Sequence, residues 1–333
     1  VTTPIIEVED LHKFFKQARK NSLDKNKYVR AVNEVSFSLC EGESFGLVGE
    51  SGSGKSTLGQ VILQLIKQTS GTVKYRGKNV SSFTKKELKA WRRQVQIVFQ
   101  NPYASLNPKK SIGWTVEEPL HIHKIGDRVF RRQRAIEVLE EVGLDHSFMD
   151  RYPHELSGGQ RQRIAIATAI ILEPEFIVID EGVSALDVSV QAQILNLLKK
   201  LQRKYKLTYL FISHDLNVVQ YFCNRIAVMY LGEIIEIGKT VELGSSPKHP
   251  YTKGLFSSIL SIEEADELKL LEGDLHRFSN DIEACPFHDR CKFAMDICQS
   301  VKPKRQKVGN YHEVGCHLYD IKNENKESIL KVN

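Results

Sequence analysis

Ser44-Phe45-Gly46-Leu47-Val48 runs straight into Gly49-Glu50-Ser51-Gly52-Ser53-Gly54-Lys55-Ser56-Thr57, and this stretch decides the fold. The first five residues read as a short buried strand after the turn Glu41-Gly42-Glu43. A helix is expected from about Lys55 to Ile66. The loop between them fits G-x-x-x-x-G-K-[ST], and the flanking strand and helix are the context that gives this pattern meaning. Its glycines let the backbone wrap so that N–H groups point inward. Together with the helix N-terminus they cradle an anionic phosphate. Lys55 is placed to neutralise the outer phosphates, and the Ser56 hydroxyl to bind Mg²⁺.

Outward from this loop, residues 5–11 and 29–39 alternate like strands, with a polar Lys/Asn-rich loop between them. Residues 72–75 and 95–99 read as further strands. Residues 115–172 are mostly helical in pattern, broken at Gly126, Gly143, Pro153 and Ser157-Gly158-Gly159. Phe176-Ile177-Val178-Ile179 is an apolar run suited to a parallel strand covered on both faces, and Leu207 to Ile212 is another. Residues 226–237 read as a hairpin around Leu231-Gly232. Strands alternating with helices give an α/β core. The stretch from about 101 to 160 interrupts it as an inserted helical subdomain. Pro247 to Pro250 marks a boundary, so two regions are expected, 1–245 and 246–333. The last dozen residues are polar and expected to fray.

Composition narrows the class. The chain has 333 residues, 41% hydrophobic and 26% charged, which excludes a disordered, collagen-like or disulfide-stapled chain. Its longest apolar stretch, Ile164 to Leu172, falls well short of the ~20 residues of a membrane-spanning helix. The net charge of +6 is mild, and the basic runs Lys16 to Arg30 and Lys302 to Lys307 read as solvated loops, which argues against a nucleic-acid partner. No secretory segment opens the sequence, so a reducing cytosol is expected. There, the clustered Cys285, Cys291, Cys298 and Cys316 suggest a metal before disulfides.

Bound phosphate and Mg²⁺ call for a second carboxylate. Asp180 ends the strand that begins at Phe176, and Glu181 follows, placed to orient and deprotonate an attacking water. Leu156-Ser157-Gly158-Gly159-Gln160, Ser184-Ala185-Leu186-Asp187 and Ser213-His214-Asp215 complete an ordered set. In order and spacing these motifs resemble the ATP-binding-cassette (ABC) ATPases, over about residues 5–245. The resemblance implies an α/β fold: a RecA-like P-loop core with an antiparallel β subdomain and an inserted helical subdomain, plus a cysteine-containing C-terminal extension.

The resemblance also implies roles. ATP would be held by Gly49, Ser51, Gly52, Ser53, Gly54, Lys55, Ser56 and Thr57, with Phe15 stacked on adenine (Phe14 is its neighbour and an alternative). Ser56, Asp180 and Gln100 would contact Mg²⁺. Glu181, His214 and Lys55 would be catalytic, with His214 holding the γ-phosphate and attacking water. Two cassettes would pair head to tail, so that Ser157, Gly158, Gly159, Gln160 and Asp187 reach the nucleotide held by the partner. One departure stands out: Gly182-Val183 replaces the family's Pro-Thr after Glu181, which puts the rigidity of the link to Asp187 in doubt.

Gln100-Asn101-Pro102-Tyr103, Ser105-Leu106-Asn107-Pro108, Arg151-Tyr152-Pro153-His154 and His249-Pro250-Tyr251-Thr252 resemble the dipeptide/oligopeptide importer subfamily, its F-type subunit in particular. That subfamily implies a heterodimer with a second cassette (a homodimer in isolation), two membrane permeases and an external solute-binding protein. It places the chain peripherally on the cytoplasmic face of the inner membrane. Nickel importers share the pattern. A non-transport cassette acting on DNA or ribosomes is the rival from another class, and a redox sensor gated by the cysteines is a third reading. In peptide-importer cassettes the four cysteines are associated with a [4Fe–4S] cluster; Zn²⁺ is the alternative, with His288, His312 and His317 as spare ligands.

Overall fold

A computed structural model of the chain describes residues 4–16, 28–100, 106–182, 186–260 and 284–320. The polar loop before Tyr28, the Asn101–Ser105 part of the importer motif, Val183-Ser184-Ala185 and the polar tail lie outside the described residues.

Two sheets carry the fold. The first is antiparallel, in the order β2-β1-β4-β5, built from β1 (Pro4–Lys16), β2 (Tyr28–Cys40), β4 (Ser70–Tyr75) and β5 (Lys78–Asn79). The second has eight strands in the order β11-β12-β10-β9-β3-β8-β7-β6. Its parallel centre comprises β3 (Ser44–Val48), β6 (Val95–Val98), β7 (Phe176–Asp180), β8 (Thr208–Ile212) and β9 (Arg225–Tyr230). β10 (Glu233–Lys239) turns back against β9 as the expected hairpin. Leu231 at φ 44° and Gly232 at φ 90° supply the two left-handed residues that such a tight turn requires.

The central strands are covered on both faces, which is why they read as continuous apolar runs. Alternate residues part to opposite sides. Phe176 and Val178 join Phe45, Leu47 and the first sheet in one core; Ile177 and Ile179 join the helices in the other. Each such buried side chain contributes ~1.5–3 kcal/mol of burial free energy.

Nine helices lie among the described residues: α1 (Lys55–Ile62), α2 (Lys85–Gln94), α3 (Ile112–His123), α4 (Arg128–Glu141), α5 (Gly158–Ile170), α6 (Val188–Tyr205), α7 (Leu216–Phe222), α8 (Thr240–Ser245) and α9 (Pro250–Leu260). α3, α4 and α5 pack together as the helical insertion, with breaks where Gly126, Gly143 and Pro153 were expected to make them. α1 stops at Ile62, short of the expected Ile66, because Gln64 takes a left-handed φ of 54°. α2 has no counterpart in the sequence reading.

The segment beyond Pro250 is fastened to the sheets. β11 (Gln306–Lys307) and β12 (Glu313–Val314) extend the large sheet past β10. Lys302 bridges Glu233 and Glu34, and Arg305 donates to the Ser36 carbonyl on β2.

Candidate active site

In the parallel part of the sheet β3, β8, β7 and β6 are neighbours in that order, and each releases one site segment from its C-terminal end. These are the P-loop, Ser213-His214, Asp180-Glu181 and Gln100. Segments up to 164 residues apart in number therefore meet along one edge, where open parallel sheets bind ligands.

The P-loop is a tight curl. Gly54 has φ 105°, and a Cβ there would lie 1.9 Å from the Ala31 carbonyl; one on Gly49 would lie 2.1 Å from that of Met229. Only glycine passes between those strands. The Gly232 N–H donates to the Ser53 carbonyl, tying the β9–β10 turn to the loop. Lys55 is buried, and its Nζ donates to the carbonyls of Gly49 and Glu50, both at 2.8 Å. Burial pulls its pKa down, against the pull of Glu181 and Asp180. Ser51 and Gly52 are exposed at the tip, and Ser56 and Thr57 start α1.

Ser56 Oγ donates to Asp180 Oδ1 at 2.8 Å. Burial raises the Asp180 pKa against that bond, and Glu181 pushes it further up. Glu181 sits in the left-handed region at φ 47°, its N–H bonded to the Ile212 carbonyl. Gln100 Nε2 donates to Glu181 Oε2 at 2.5 Å, and His214 Nδ1 lies 3.3 Å from Oε1. The Glu181 side chain is 14% exposed and that of His214 55%. Beneath, a Cβ on Gly182 would lie 2.9 Å from Ile179 Cγ2 and 3.0 Å from Gln162 Nε2, so the residue that departs from the family pattern fills a tight seat.

Phe15 is 39% exposed, with Lys13 Nζ 4.8 Å from its ring centre; Phe14 is half-buried, edge-on to His12. Ser157 caps α5: its Oγ accepts from the Gln160 N–H, and the Gln160 side chain accepts from the Ser157 N–H. Ser157 and Gly158 are exposed at the helix start, whereas the Gln160 amide oxygen is spent on the cap. Asp187 begins α6 without a side-chain cap bond.

Cys285, Cys291, Cys298 and Cys316 line one small cavity with Phe287 and Met295. All four are free thiols. Burial pushes Cys285 and Cys316 up to about 12 and raises Cys291 as well. Of the histidines expected as spare ligands, His288 and His317 line the same cavity and His312 does not, and all three hold other partners. His312 Nε2 pairs with Glu236 at 2.7 Å, His317 contacts Asp320 and the Val301 carbonyl, and His288 contacts the Cys285 carbonyl and Asp289. Among the described residues no group of three His, Cys, Asp or Glu side chains is arranged to hold a metal ion. That finding bears on the [4Fe–4S] and the zinc readings of the four cysteines alike.

Residues 32–184 match the ABC transporter family, and residues 235–298 match the oligopeptide/dipeptide transporter C-terminal region. YkfD of Bacillus subtilis, named as an oligopeptide transport ATP-binding protein, is 48% identical over 95% of this chain and 96% of its own. AppF of the same organism, an oligopeptide transport ATP-binding protein, is 45% identical over 95% and 97%. The chain belongs to this family of ABC ATP-binding subunits. It is an ATP-hydrolysing subunit of that kind. The ATP-binding cassette MJ0796, solved as a dimer after hydrolysis with ADP and Pi, superposes with a TM-score of 0.63 at 33% identity, covering 71% of this chain and 98% of its own. Of the described residues, no helix is long and apolar enough to cross a membrane.

α2, missed in the sequence, lies outside this site; its signal was the Thr84-x-x-Glu87 capping pattern. Two residues touching the P-loop were also missed, Tyr251 and Arg290. Tyr251 lies in the His249-Pro250-Tyr251-Thr252 motif, which gave it no site role, whereas nothing local in sequence marks Arg290.

Proposed function

We propose that this subunit powers the import of dipeptides or oligopeptides, on the cytoplasmic face of the membrane. It would work beneath two permeases, paired with a second cassette and fed by an external solute-binding protein. The observation that carries the chemistry is the convergence of Gln100 and His214 on Glu181, beside the Ser56–Asp180 pair. In this reading Lys55 and the P-loop N–H groups hold the phosphates, and Phe15 stacks on adenine. Ser56 and Asp180, with Gln100, hold Mg²⁺, for which hydroxyl and carboxylate oxygens are suitable ligands. Glu181 activates water while His214 steadies the γ-phosphate. Ser157, Gly158 and Gly159 at the start of α5, with Gln160 and Asp187 nearby, serve the partner's nucleotide, so binding closes the pair and product release reopens it.

For the cysteine cavity, the donor set suits a [4Fe–4S] cluster. Four thiolates would suit one zinc as well, so the metal content of the purified protein decides between the two. Cys285, Cys291 and Cys316, whose pKa burial raises, also need a cation to become thiolates. Its role would be structural, since ATP hydrolysis transfers no electrons.

The test is to recover tagged Glu181→Gln protein from gently solubilised cells with ATP present. Two permeases with a second cassette are expected, and their identity separates peptide from nickel cargo. Ribosomes or DNA-bound proteins without a permease would overturn the reading.

A further inference from the structure

Glu50 lies inside the P-loop but is held from outside it. Arg290 Nη1 and Nη2 donate to Glu50 Oε2 and Oε1, each at 3.1 Å, across 240 residues of sequence. The Glu50 N–H donates to the Tyr251 hydroxyl at 2.9 Å. The Glu50 carbonyl accepts from Lys55 Nζ at 2.8 Å and from the Ser53 N–H at 3.1 Å. One residue thus links the C-terminal segment to the phosphate-binding lysine through all three of its polar groups.

The support behind it is stiff. Tyr230, Tyr251 and Phe287 are fully buried and pack ring against ring at 4.7 to 5.5 Å between centres. Arg290 leans on Tyr230 and Phe287 and also donates to the Tyr230 hydroxyl. The Arg290 side chain is 8% exposed and that of Glu50 23%, so the pair is shielded from water and from salt. A bidentate guanidinium–carboxylate contact fixes angle as well as distance.

Electrostatics give the pair a second consequence. Glu50 is close enough to Lys55 to bear on its ionisation. An unpaired carboxylate there would repel the phosphates that Lys55 attracts, and Arg290 cancels that charge.

We propose that Arg290 and Tyr251 are positioning residues for nucleotide binding: they fix the Glu50 peptide, and with it the P-loop curl around Lys55, and Arg290 neutralises the Glu50 carboxylate beside the phosphate site. The inference rests on nucleotide binding at the P-loop alone. It is independent of cargo and permeases, so its failure leaves the transport reading standing.

The test is calorimetric titration of the full chain with a non-hydrolysable ATP analogue and Mg²⁺, well below the unfolding temperature. Arg290→Met is expected to raise Kd about tenfold and Tyr251→Phe about threefold, with Arg290→Lys between native and Arg290→Met. In steady-state assays KM rises while kcat at saturating ATP stays within about twofold. Glu50→Gln added to Arg290→Met should recover most of the lost affinity, because it removes the charge that Arg290 had cancelled. A merely structural arginine would show no such rescue. Kd within twofold of native in both Arg290→Met and Tyr251→Phe, or additive losses in the double variant, overturns the proposal. Should Arg290→Met fail to fold, Arg290→Lys and Tyr251→Phe carry the same decision.

Discussion

The Ser56 hydroxyl donates to Asp180 Oδ1 at 2.8 Å, joining the first turn of α1 to the end of β7 across 124 residues. Burial raises the carboxyl's pKa, with the adjacent Glu181 carboxylate adding to the rise. A divalent cation reverses that penalty by supplying the missing charge. Asp180→Asn should therefore reduce Mg²⁺-dependent turnover by about 100-fold or more. Nucleotide binding measured in excess EDTA should change little. An equal loss with and without the metal would show that Asp180 acts on the loop rather than on Mg²⁺.

Glu181 is gripped from two sides, by the Gln100 amide and the His214 ring, and its backbone is held at φ 47°. A non-glycine residue in that region costs ~1–3 kcal/mol, which the surrounding bonds must offset. Glu181→Gln preserves the shape and removes the base. Turnover should fall by about 10²–10⁴ while ATP affinity stays near native. A variant that keeps half its rate would end the role given to Glu181.

Acid should loosen the joint between β10 and α9. His249 is buried, and its Nδ1 accepts from the Tyr251 N–H, which requires a neutral ring. Burial depresses its pKa from 6.5 to about 4, a gap worth on the order of 3 kcal/mol. The unfolded chain takes up this proton first, so the contribution is full above 6.5 and is lost as pH falls towards 4. Glu236 works in the same direction. Burial would raise its pKa, but bonds from His312 and from the Lys248 and His249 N–H groups outweigh burial and hold it below 4.5. Denaturant stability should fall between pH 7 and 5, and His249→Asn, which keeps an acceptor without the proton, should flatten that slope. An unchanged slope would remove His249 as its cause.

The difference between what was and was not legible in the sequence lies in distance. The P-loop glycines, the apolar run ending at Asp180 and the hairpin turn at Leu231-Gly232 each carry their signal within a few residues, and each forms as read. The approach of Gln100 and His214 to Glu181 followed only from the family resemblance, because strand order, not spacing, sets it. β12 has two residues, too few for any period to show, yet it adds the C-terminal segment to the main sheet. The ion pair between Arg290 and Glu50 has no local signature in either partner.

α2 was legible but missed. Thr84 Oγ1 accepts from the Glu87 N–H and the Glu87 carboxylate accepts from the Thr84 N–H, a reciprocal cap. Thr84→Ala should cost about 1 kcal/mol of stability, seen as a lower denaturant midpoint with an unchanged slope. Turnover should be native, because nothing in the site touches this cap. A fall in turnover at full folding would assign α2 a part in the chemistry.

The four thiols make the last prediction. They line one cavity and stay unbonded to one another, and burial raises the pKa of Cys285, Cys291 and Cys316, so without a cation those three stay neutral. A cluster would replace that arrangement with four thiolates balanced by iron. Protein purified without oxygen should be brown and contain about four irons and four sulfides per chain. Cys298→Ala should bleach the colour and lower the unfolding temperature, because it removes one of the four thiols and with it the Sγ that accepts the Met295 N–H at 3.5 Å. Since ATP hydrolysis moves no electrons, dithionite should bleach the chromophore without changing turnover. Colourless protein with one zinc per chain would refute the cluster, and turnover that tracks the oxidation state would make the site a regulator instead of a structural pin.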